Sequence, residues 1–221
     1  KFYGKGIRFM INRPIIGVGT LTLSDKAKKY VNDVLNTNRL SYGPYLKRFE
    51  TQFAQIHQAR HAIVVNSGTD ALRIALHALK EKHKFSNGDE VLVPAVTFVA
   101  TINIVLQNGL TPKFVDVDPL YYELNPQLLE KHITPKTKAI IPVHLFGQPC
   151  DMDPLIAIAQ KYDLKIIEDS CETMFAHYKA RPVGSFGDIA CFSTYVAHLI
   201  VTGVGGILLT NNNDYAVLAR S

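Results

Sequence analysis

The sequence predicts an α/β fold in which a mainly parallel sheet is sandwiched between helices. Short apolar runs alternate along the chain with amphipathic runs whose apolar residues recur at helical spacing. Strands that alternate with helices in this way form parallel sheets covered on both faces. We therefore expect any ligand site at the carboxyl ends of the strands.

Two helices open the predicted fold. A capping signal at Ser24-Asp25 precedes the first, and Pro44 marks the start of the second because proline suits the first helical turn. The apolar residues at helical spacing are Ala27, Tyr30, Val31, Val34 and Leu35 in the first helix and Leu46, Phe49, Phe53 and Ile56, the expected inner face, in the second.

The remaining predicted elements alternate in type. The expected strands cover residues 61–65, 90–93, 113–117, 139–143, 165–168, 189–193 and 206–210. The expected helices cover residues 70–79, 99–106 and 154–162, with a short one opened by Asn125-Pro126.

Composition and charge exclude several classes of protein. With 47% apolar and 19% charged residues, the chain is globular rather than disordered. The net charge of +5 is spread without a basic run, so a small anionic ligand explains it more simply than a nucleic acid. The three cysteines lack metal-site spacing, and the apolar stretch 199–209 is too short to span a bilayer. We expect a cytoplasmic protein without a metal, nucleic-acid or membrane partner.

The turn Asn66-Ser67-Gly68-Thr69 is the first candidate for a ligand site. It joins a predicted strand to a predicted helix, and Gly68 allows the backbone to turn sharply. The unpaired N–H groups and the positive end of the following helix would suit a phosphate. An ordinary strand-to-helix turn with a Ser/Thr cap explains the same residues, so the two interpretations stay open.

Two further segments lie at the same expected edge of the sheet. Glu168 and Asp169 end a buried strand, where a carboxylate could hold the proton of a pyridine nitrogen; Asp169 could equally cap the next turn. Glycines are dense between Gly184 and Gly206, which indicates close backbone packing or a ligand near the main chain. A histidine in this stretch, such as His198, is compatible with a purely structural role.

In this order the motifs resemble those of the DegT/StrS-type sugar aminotransferases, which are fold-type I pyridoxal phosphate enzymes. The resemblance runs from about residue 21 to the end of the chain. The segments that carry it, besides the Asp169 and Gly184-to-Gly206 regions, are RLSYGP (39–44), NSGT (66–69), VPAVTFVAT (93–101), FVDVD (114–118) and HLFG (144–147).

The resemblance implies a set of contacts to pyridoxal or pyridoxamine phosphate. The residues alone support the phosphate and ring-nitrogen contacts but leave Phe98 open to a place in the core. The implied contacts are Gly68, Thr69 and Ser193 with the phosphate, Phe98 stacked on the pyridine ring, Asp169 with the ring nitrogen, and Glu172 near the ring hydroxyl.

One position departs from the aminotransferase pattern. The family's Schiff-base lysine follows the serine matching Ser193 by five residues, and here that position is His198; no lysine follows Lys179. Imidazole does not hold the cofactor covalently, but it moves protons near neutral pH. The same exchange marks the pyridoxamine-phosphate-dependent sugar 3-dehydratases. The resemblance therefore implies a non-covalently bound cofactor.

The resemblance to that subgroup also implies a reaction and partners. His198 would act as the base in removing the 3-hydroxyl of a nucleotide-linked 4-keto-6-deoxy sugar, with Asp169 as the second catalytic residue. Glutamate is an expected co-substrate, and a homodimer is the expected assembly. Aminotransfer or another activity of the family, and a non-catalytic cofactor-binding protein, remain alternatives.

The predicted domain organisation follows the same resemblance. We assign residues 1–22 to an N-terminal arm and residues 23–210 to a cofactor-binding large domain. Residues 211–221 are expected to begin the connection to a smaller C-terminal domain that this chain lacks.

Overall fold

Seven strands form one central sheet in the computed structural model, which describes residues 22–221. Two further short strands, β6 and β7, pair as a separate hairpin. The strands are β1 (His61–Val65), β2 (Glu90–Pro94), β3 (Thr111–Val115), β4 (Thr137–Ile140), β5 (Lys165–Asp169), β6 (His177–Tyr178), β7 (Arg181–Pro182), β8 (Ile189–Ser193) and β9 (Gly206–Thr210).

The order of the strands in the sheet is β1-β9-β8-β5-β4-β2-β3. Strand β9 runs antiparallel to its neighbours β1 and β8, whereas the four other pairings are parallel. The helices that cover the sheet are α1 (Asp25–Asn36), α2 (Pro44–Ile56), α3 (Gly68–His83), α4 (Val99–Gln107), α5 (Pro126–His132), α6 (Met152–Tyr162) and α7 (Asn213–Arg220).

Alternate residues of each strand supply the cores on the two faces of the sheet. On β5, Ile167 packs with buried residues of α3 and α4, whereas Ile166 packs with buried residues of α6. Helix α2 covers the second face beside β8 and β9, where Phe53 meets Phe192. The period of two along the strands places every second apolar side chain on each face. The predicted mainly parallel sheet with helices on both sides is confirmed.

The strand boundaries match the predictions to within one residue except at two strands. Strand β3 begins at Thr111 rather than at residue 113, because β3 lies at the edge of the sheet and an edge strand tolerates Pro112. Strand β4 ends at Ile140, although Val143 still forms an isolated parallel bridge with Asp169. The prediction that residues 113–117 and 139–143 form strands was therefore displaced by two or three residues.

The prediction for the inner face of α2 was wrong at one residue. Ile56 is 55% exposed, whereas Phe53 is buried. The helix ends at Ile56, and the fully buried ring of the next residue, His57, stacks on Phe53 in the interior.

The predicted termini of the large domain lie partly outside the described residues. Of the predicted arm, only Thr22 is described. Within 211–221 the chain forms α7, which sequence analysis missed, and Tyr215 and Ala216 of α7 pack in the core against α3. None of the helices within 22–221 has the length and apolar character needed to cross a bilayer.

Candidate active site

A cavity of about 570 Å³ opens where β5 and β8 end and helices α3 and α4 begin. Its volume falls in the usual range of small-molecule sites. A larger cleft of about 750 Å³ lies among the C-terminal ends of α3 and α6, away from the strand ends that carry ligand sites in this fold class. All seven predicted site residues line the smaller cavity: Gly68, Thr69, Phe98, Asp169, Glu172, Ser193 and His198.

The N-terminus of α3 forms one wall of the cavity. Ser67 caps the helix, and its Oγ accepts a hydrogen bond from the Asp70 N–H at 3.1 Å. The N–H groups of Gly68 and Thr69, in the same first turn, have no acceptor within the helix. A Cβ on Gly68 would stand 2.7 Å from the Cβ of Ser193, so only glycine lets the helix end approach β8 this closely. This end of the cavity suits an anionic group.

Asp169 lies at the C-terminal end of β5 and is 4% exposed. Its Oδ2 accepts from the Thr101 hydroxyl at 2.9 Å, and its Oδ1 accepts from the Cys171 N–H at 3.2 Å. Burial raises the pKa of the Asp169 carboxyl, while the hydrogen bonds from Cys171 and Thr101 act in the opposite direction. The carboxylate retains lone pairs for a cationic donor in the cavity.

Glu168, the second carboxylate of the predicted pair, does not line the cavity. It is fully buried, and its oxygens accept from the backbone N–H groups of Gly184, Phe186 and Gly187 at 2.6–2.7 Å. His144 Nε2 is 3.2 Å from Oε2. Because the Cys150 N–H donates to His144 Nδ1, the ring is neutral and its proton sits on Nε2, facing Glu168. These contacts explain part of the glycine density as the anchoring of a loop.

Phe98 and Glu172 occupy the rim of the cavity. Phe98 is the N-cap of α4 and is 65% exposed, so its place in the core, one of the two open interpretations, is wrong. A carboxylate oxygen of Glu172 accepts from the Phe146 N–H at 3.0 Å. Phe146 is an exposed residue with φ of 54°, in the left-handed region. Glu172 thereby ties the segment 145–147 to the cavity.

The segment 194–205 lines part of the cavity and carries His198. Its two ends are joined by the Thr194 N–H, which donates to the Gly205 carbonyl at 2.9 Å, and the hydroxyl groups of Thr194 and Thr202 lie 2.6 Å apart. The His198 N–H donates to the Tyr195 carbonyl at 2.9 Å, and the two rings meet edge to face at 5.9 Å. The turn thus places the imidazole at the cavity, where none of the described lining residues is a lysine.

Sequence analysis missed several residues of the lining. Cys171 and Tyr195 were not singled out, although both follow a predicted site residue by two positions on a strand-end segment. Burial raises the pKa of the Cys171 thiol well above its ordinary value, so the sulfur faces the cavity as a thiol. Ser67, part of the first candidate turn, also lines the cavity, and the other lining residues without a predicted role are Leu72, Ala100, Val143, Leu145, Ala197, Val204 and Gly205.

The sheet order, the anion seat at a helix N-terminus and the carboxylate at a strand end define the large domain of a fold-type I pyridoxal phosphate enzyme. The chain belongs to the DegT/DnrJ/EryC1/StrS aminotransferase family, whose sequence model matches residues 22–221. The GDP-perosamine synthase of Caulobacter vibrioides is 42% identical over 212 residues, which cover 96% of this chain and 56% of the relative. The chain spans about half the length of the curated relatives it matches.

Solved structures of the family superpose closely on the described residues. A GDP-4-keto-6-deoxymannose-3-dehydratase (ColD) with a histidine-to-asparagine mutation and bound GDP-perosamine has a TM-score of 0.86 at 33% identity, covering 90% of this chain and 52% of that one. Another GDP-4-keto-6-deoxymannose-3-dehydratase, with a trapped PLP-glutamate geminal diamine, has a TM-score of 0.88 at 32% identity, covering 92% and 53%. The predicted family and its pyridoxal phosphate dependence are confirmed.

The cavity fits the cofactor of this family. Pyridoxal phosphate combines a dianionic phosphate with an aromatic ring and a basic nitrogen. The cavity offers a helix N-terminus and the Ser193 hydroxyl for the anion, the exposed ring of Phe98 for the aromatic face, and the buried Asp169 for the nitrogen. Anion seat and carboxylate lie on different elements around one cavity, as a ligand with these separated groups requires.

Proposed function

We propose that this chain is the cofactor-binding domain of an enzyme that removes the 3-hydroxyl of a nucleotide-linked 4-keto-6-deoxy sugar. In this proposal pyridoxamine phosphate is held without a covalent bond, and His198 is the base. The observation that carries the proposal is the presence of His198, and of no lysine among the described lining residues, in a cavity that otherwise fits the cofactor.

Each of the seven predicted site residues has a part in the proposed reaction. Gly68, Thr69 and Ser193 hold the phosphate, which fixes one end of the cofactor. Asp169 holds the proton on the ring nitrogen, and Phe98 packs on the ring face. The bound cofactor supplies an amine that captures the keto sugar and a ring that accepts electrons. These five residues thus bind the cofactor and orient its ring for the proton transfer.

The proton transfer itself falls to His198. Its imidazole would take the proton from the carbon that bears the cofactor amine, and the bound cofactor would supply the electron flow by which the sugar loses its 3-hydroxyl. Histidine suits this step because it exchanges protons near neutral pH. Glu172, whose carboxylate accepts from the Phe146 N–H, holds the segment 145–147 at the cavity and is assigned a place near the ring hydroxyl of the cofactor.

The substrates, assembly and location are part of the same proposal. A nucleotide-linked keto sugar is supported by relatives and neighbours named for GDP-linked sugars. Glutamate as amino donor is supported by the neighbour solved with a PLP-glutamate adduct. We further propose a cytoplasmic homodimer whose intact chain includes a smaller C-terminal domain after residues 211–221.

Aminotransfer is the second candidate function. It is favoured by the 42% identity to a GDP-perosamine synthase. In that case the cofactor would need a covalent attachment to a lysine that is not among the described lining residues. Borohydride reduction of the loaded protein, followed by mass spectrometry, separates the two: the dehydratase proposal expects no cofactor attached to the chain, and a cofactor–lysine adduct would refute it.

The His198→Asn variant tests the base directly. Asparagine keeps a polar side chain of similar reach but exchanges no protons near neutral pH, so deoxy-sugar formation should stop while cofactor binding and the thermal midpoint are kept. A stable variant with undiminished deoxy-sugar yield would end the proposal that His198 is the base. A variant that loses stability but keeps its specific activity would assign His198 to packing alone.

A further inference from the structure

Thr101 connects Asp169 to the start of α4 through a chain of hydroxyl groups. Thr101 is fully buried, and its Oγ1 lies 2.9 Å from Asp169 Oδ2. The same Oγ1 lies 2.8 Å from the Oγ1 of Thr97, the residue before Phe98. This chain of hydroxyl groups therefore joins the Asp169 carboxylate to the segment that presents the exposed ring of Phe98.

The direction of this chain follows from the chemistry of its members. An ionised carboxylate only accepts hydrogen bonds, so the single hydroxyl proton of Thr101 is donated to Asp169. Thr101 then has only lone pairs left for Thr97, whose hydroxyl must be the donor in the 2.8 Å contact. The hydroxyl groups of Thr97 and Thr101 thus both donate in the direction of Asp169. Hydrogen bonds aligned in this way polarise one another and stabilise the negative charge of the carboxylate.

The protein occupies one lone pair on each oxygen of Asp169. Thr101 donates to Oδ2 and the Cys171 N–H donates to Oδ1, so two donors on different elements fix the plane of the carboxylate. A carboxylate offers about four acceptor sites. Those that remain can receive a cationic N–H from the cavity.

Without hydrogen-bond donors to Asp169, its buried site would disfavour the ionised carboxylate. Burial is the largest influence on the Asp169 carboxyl and raises its pKa, and the hydrogen bonds from Cys171 and Thr101 oppose it. The other ionisable groups that influence it are Cys171, whose own pKa burial raises, and the buried His144. Thr101 is the one side-chain hydroxyl that donates to Asp169 among residues 22–221.

We propose that Thr101 is a positioning residue, which orients the Asp169 carboxylate and keeps the shared proton on the ring nitrogen of the cofactor. The proposal rests on the proposed cofactor site but concerns a residue that touches only Asp169 and Thr97 through its hydroxyl. Removing the Thr101 donor would make the carboxylate more basic, so the proton would move from the ring nitrogen toward Asp169.

The test is the ¹⁵N chemical shift of the pyridine nitrogen in the complete protein loaded with ¹⁵N-labelled pyridoxal phosphate. A hydrogen bond to a charged group is worth about tenfold in an equilibrium. Thr101→Val should therefore shift the equilibrium of the proton between the ring nitrogen and Asp169 by about tenfold toward Asp169. The ¹⁵N chemical shift should then move toward the value of an unprotonated pyridine nitrogen. Thr101→Ser, which keeps the hydroxyl, should restore the wild-type shift.

A matched control separates this effect from the loss of any buried threonine hydroxyl. Thr210 is likewise buried, at the end of β9, and its hydroxyl donates to the Asp188 carbonyl at 2.8 Å. Thr210→Val should lose a comparable amount of stability and leave the ¹⁵N shift unchanged. If Thr101→Val does not fold, Thr97→Val is measured instead, with a smaller shift expected in the same direction.

Two results would overturn the proposal without touching the proposed function. One is a wild-type ¹⁵N shift in loaded Thr101→Val, or in Thr97→Val where that variant replaces it. The other is a folded Thr101→Ser that behaves like the valine variant. Failure of the wild-type protein to bind pyridoxal phosphate at all would overturn the proposed function, and the role of Thr101 with it.

Discussion

Glu168 and Asp169 are consecutive residues of β5, yet their surroundings differ in kind. Glu168 is on the face of the sheet opposite to α4, and its carboxylate accepts hydrogen bonds from three backbone N–H groups and His144. Asp169 is on the face of α4, beside the cavity, with two protein donors. A carboxylate saturated by backbone donors holds a loop, whereas one with unused lone pairs beside a cavity is equipped to bind. Position along the sequence alone does not distinguish them.

Of the variants that test this difference between the two carboxylates, Glu168→Gln is expected to have the largest effect. One end of the amide accepts hydrogen bonds, but its NH₂ must face either the two N–H groups of Phe186 and Gly187 or those of Gly184 and His144. Buried donors would then oppose each other. We expect the free energy of unfolding to fall by about 3 kcal/mol or more, measured by denaturant titration.

A loss below about 1 kcal/mol in Glu168→Gln would show that the loop 184–187 does not depend on the carboxylate. Glu50→Gln is the control, since its carboxylate accepts from a single backbone N–H, that of Val64, and otherwise meets Arg220 near the surface. Exposed ion pairs contribute little, so this variant should lose clearly less stability.

Asp169→Asn should show the reverse pattern, a large effect on the reaction and a small one on the fold. Asparagine has nearly the same shape but cannot hold the proton of a ring nitrogen. We expect turnover to fall by at least about a hundredfold, with cofactor binding largely retained. Steady-state rates and cofactor titrations on the complete protein test this, and unchanged turnover would leave Asp169 as a structural cap.

The fold was predictable from the sequence because its signals are local. Alternating apolar and amphipathic runs gave every strand of the central sheet and six of the seven helices in residues 22–221. The helix α7 was missed because its polar start, Asn211-Asn212-Asn213, has the composition of a loop, although Asn212 is in fact a helix N-cap. The partners of a strand, such as the antiparallel placing of β9, are set by packing that local patterns do not contain.

The site was predictable as a set of residues but not as a network. Turn chemistry and the family resemblance placed all seven predicted residues at one cavity. Alternation along β5 predicts that Glu168 and Asp169 point to opposite faces of the sheet, but which face carries the cavity depends on the elements packed there, and local patterns do not contain that information. Thr101 was missed for a similar reason: its hydroxyl is informative only through its distance to Asp169, 68 positions away.

His57 extends the comparison to a buried ring that does not line the cavity. Its ring lies between Phe53 and Phe175, against Phe192, and its Nδ1 donates to the Val183 carbonyl at 2.9 Å. No described residue pairs with Nε2. Burial lowers the pKa of His57 below its ordinary value, which the Val183 hydrogen bond only partly offsets. The folded protein therefore keeps this ring neutral, as an apolar packing element.

The sign of the expected pH dependence follows from linkage. Below pH about 6.5 the unfolded chain binds a proton at His57 that the folded chain does not, so stability falls on acidification and is fully present above that pH. The loss is at most about 1.4 kcal/mol per pH unit for one proton. In denaturant unfolding between pH 5 and 8, wild type should lose more stability on acidification than His57→Phe, which has no group to titrate at this position. His77→Gln, on the exposed side of α3, is the control and should run parallel to wild type. If the His57→Phe curve also runs parallel, the buried imidazole takes up its proton as readily as the unfolded chain does, and its aromatic surroundings do not keep it neutral.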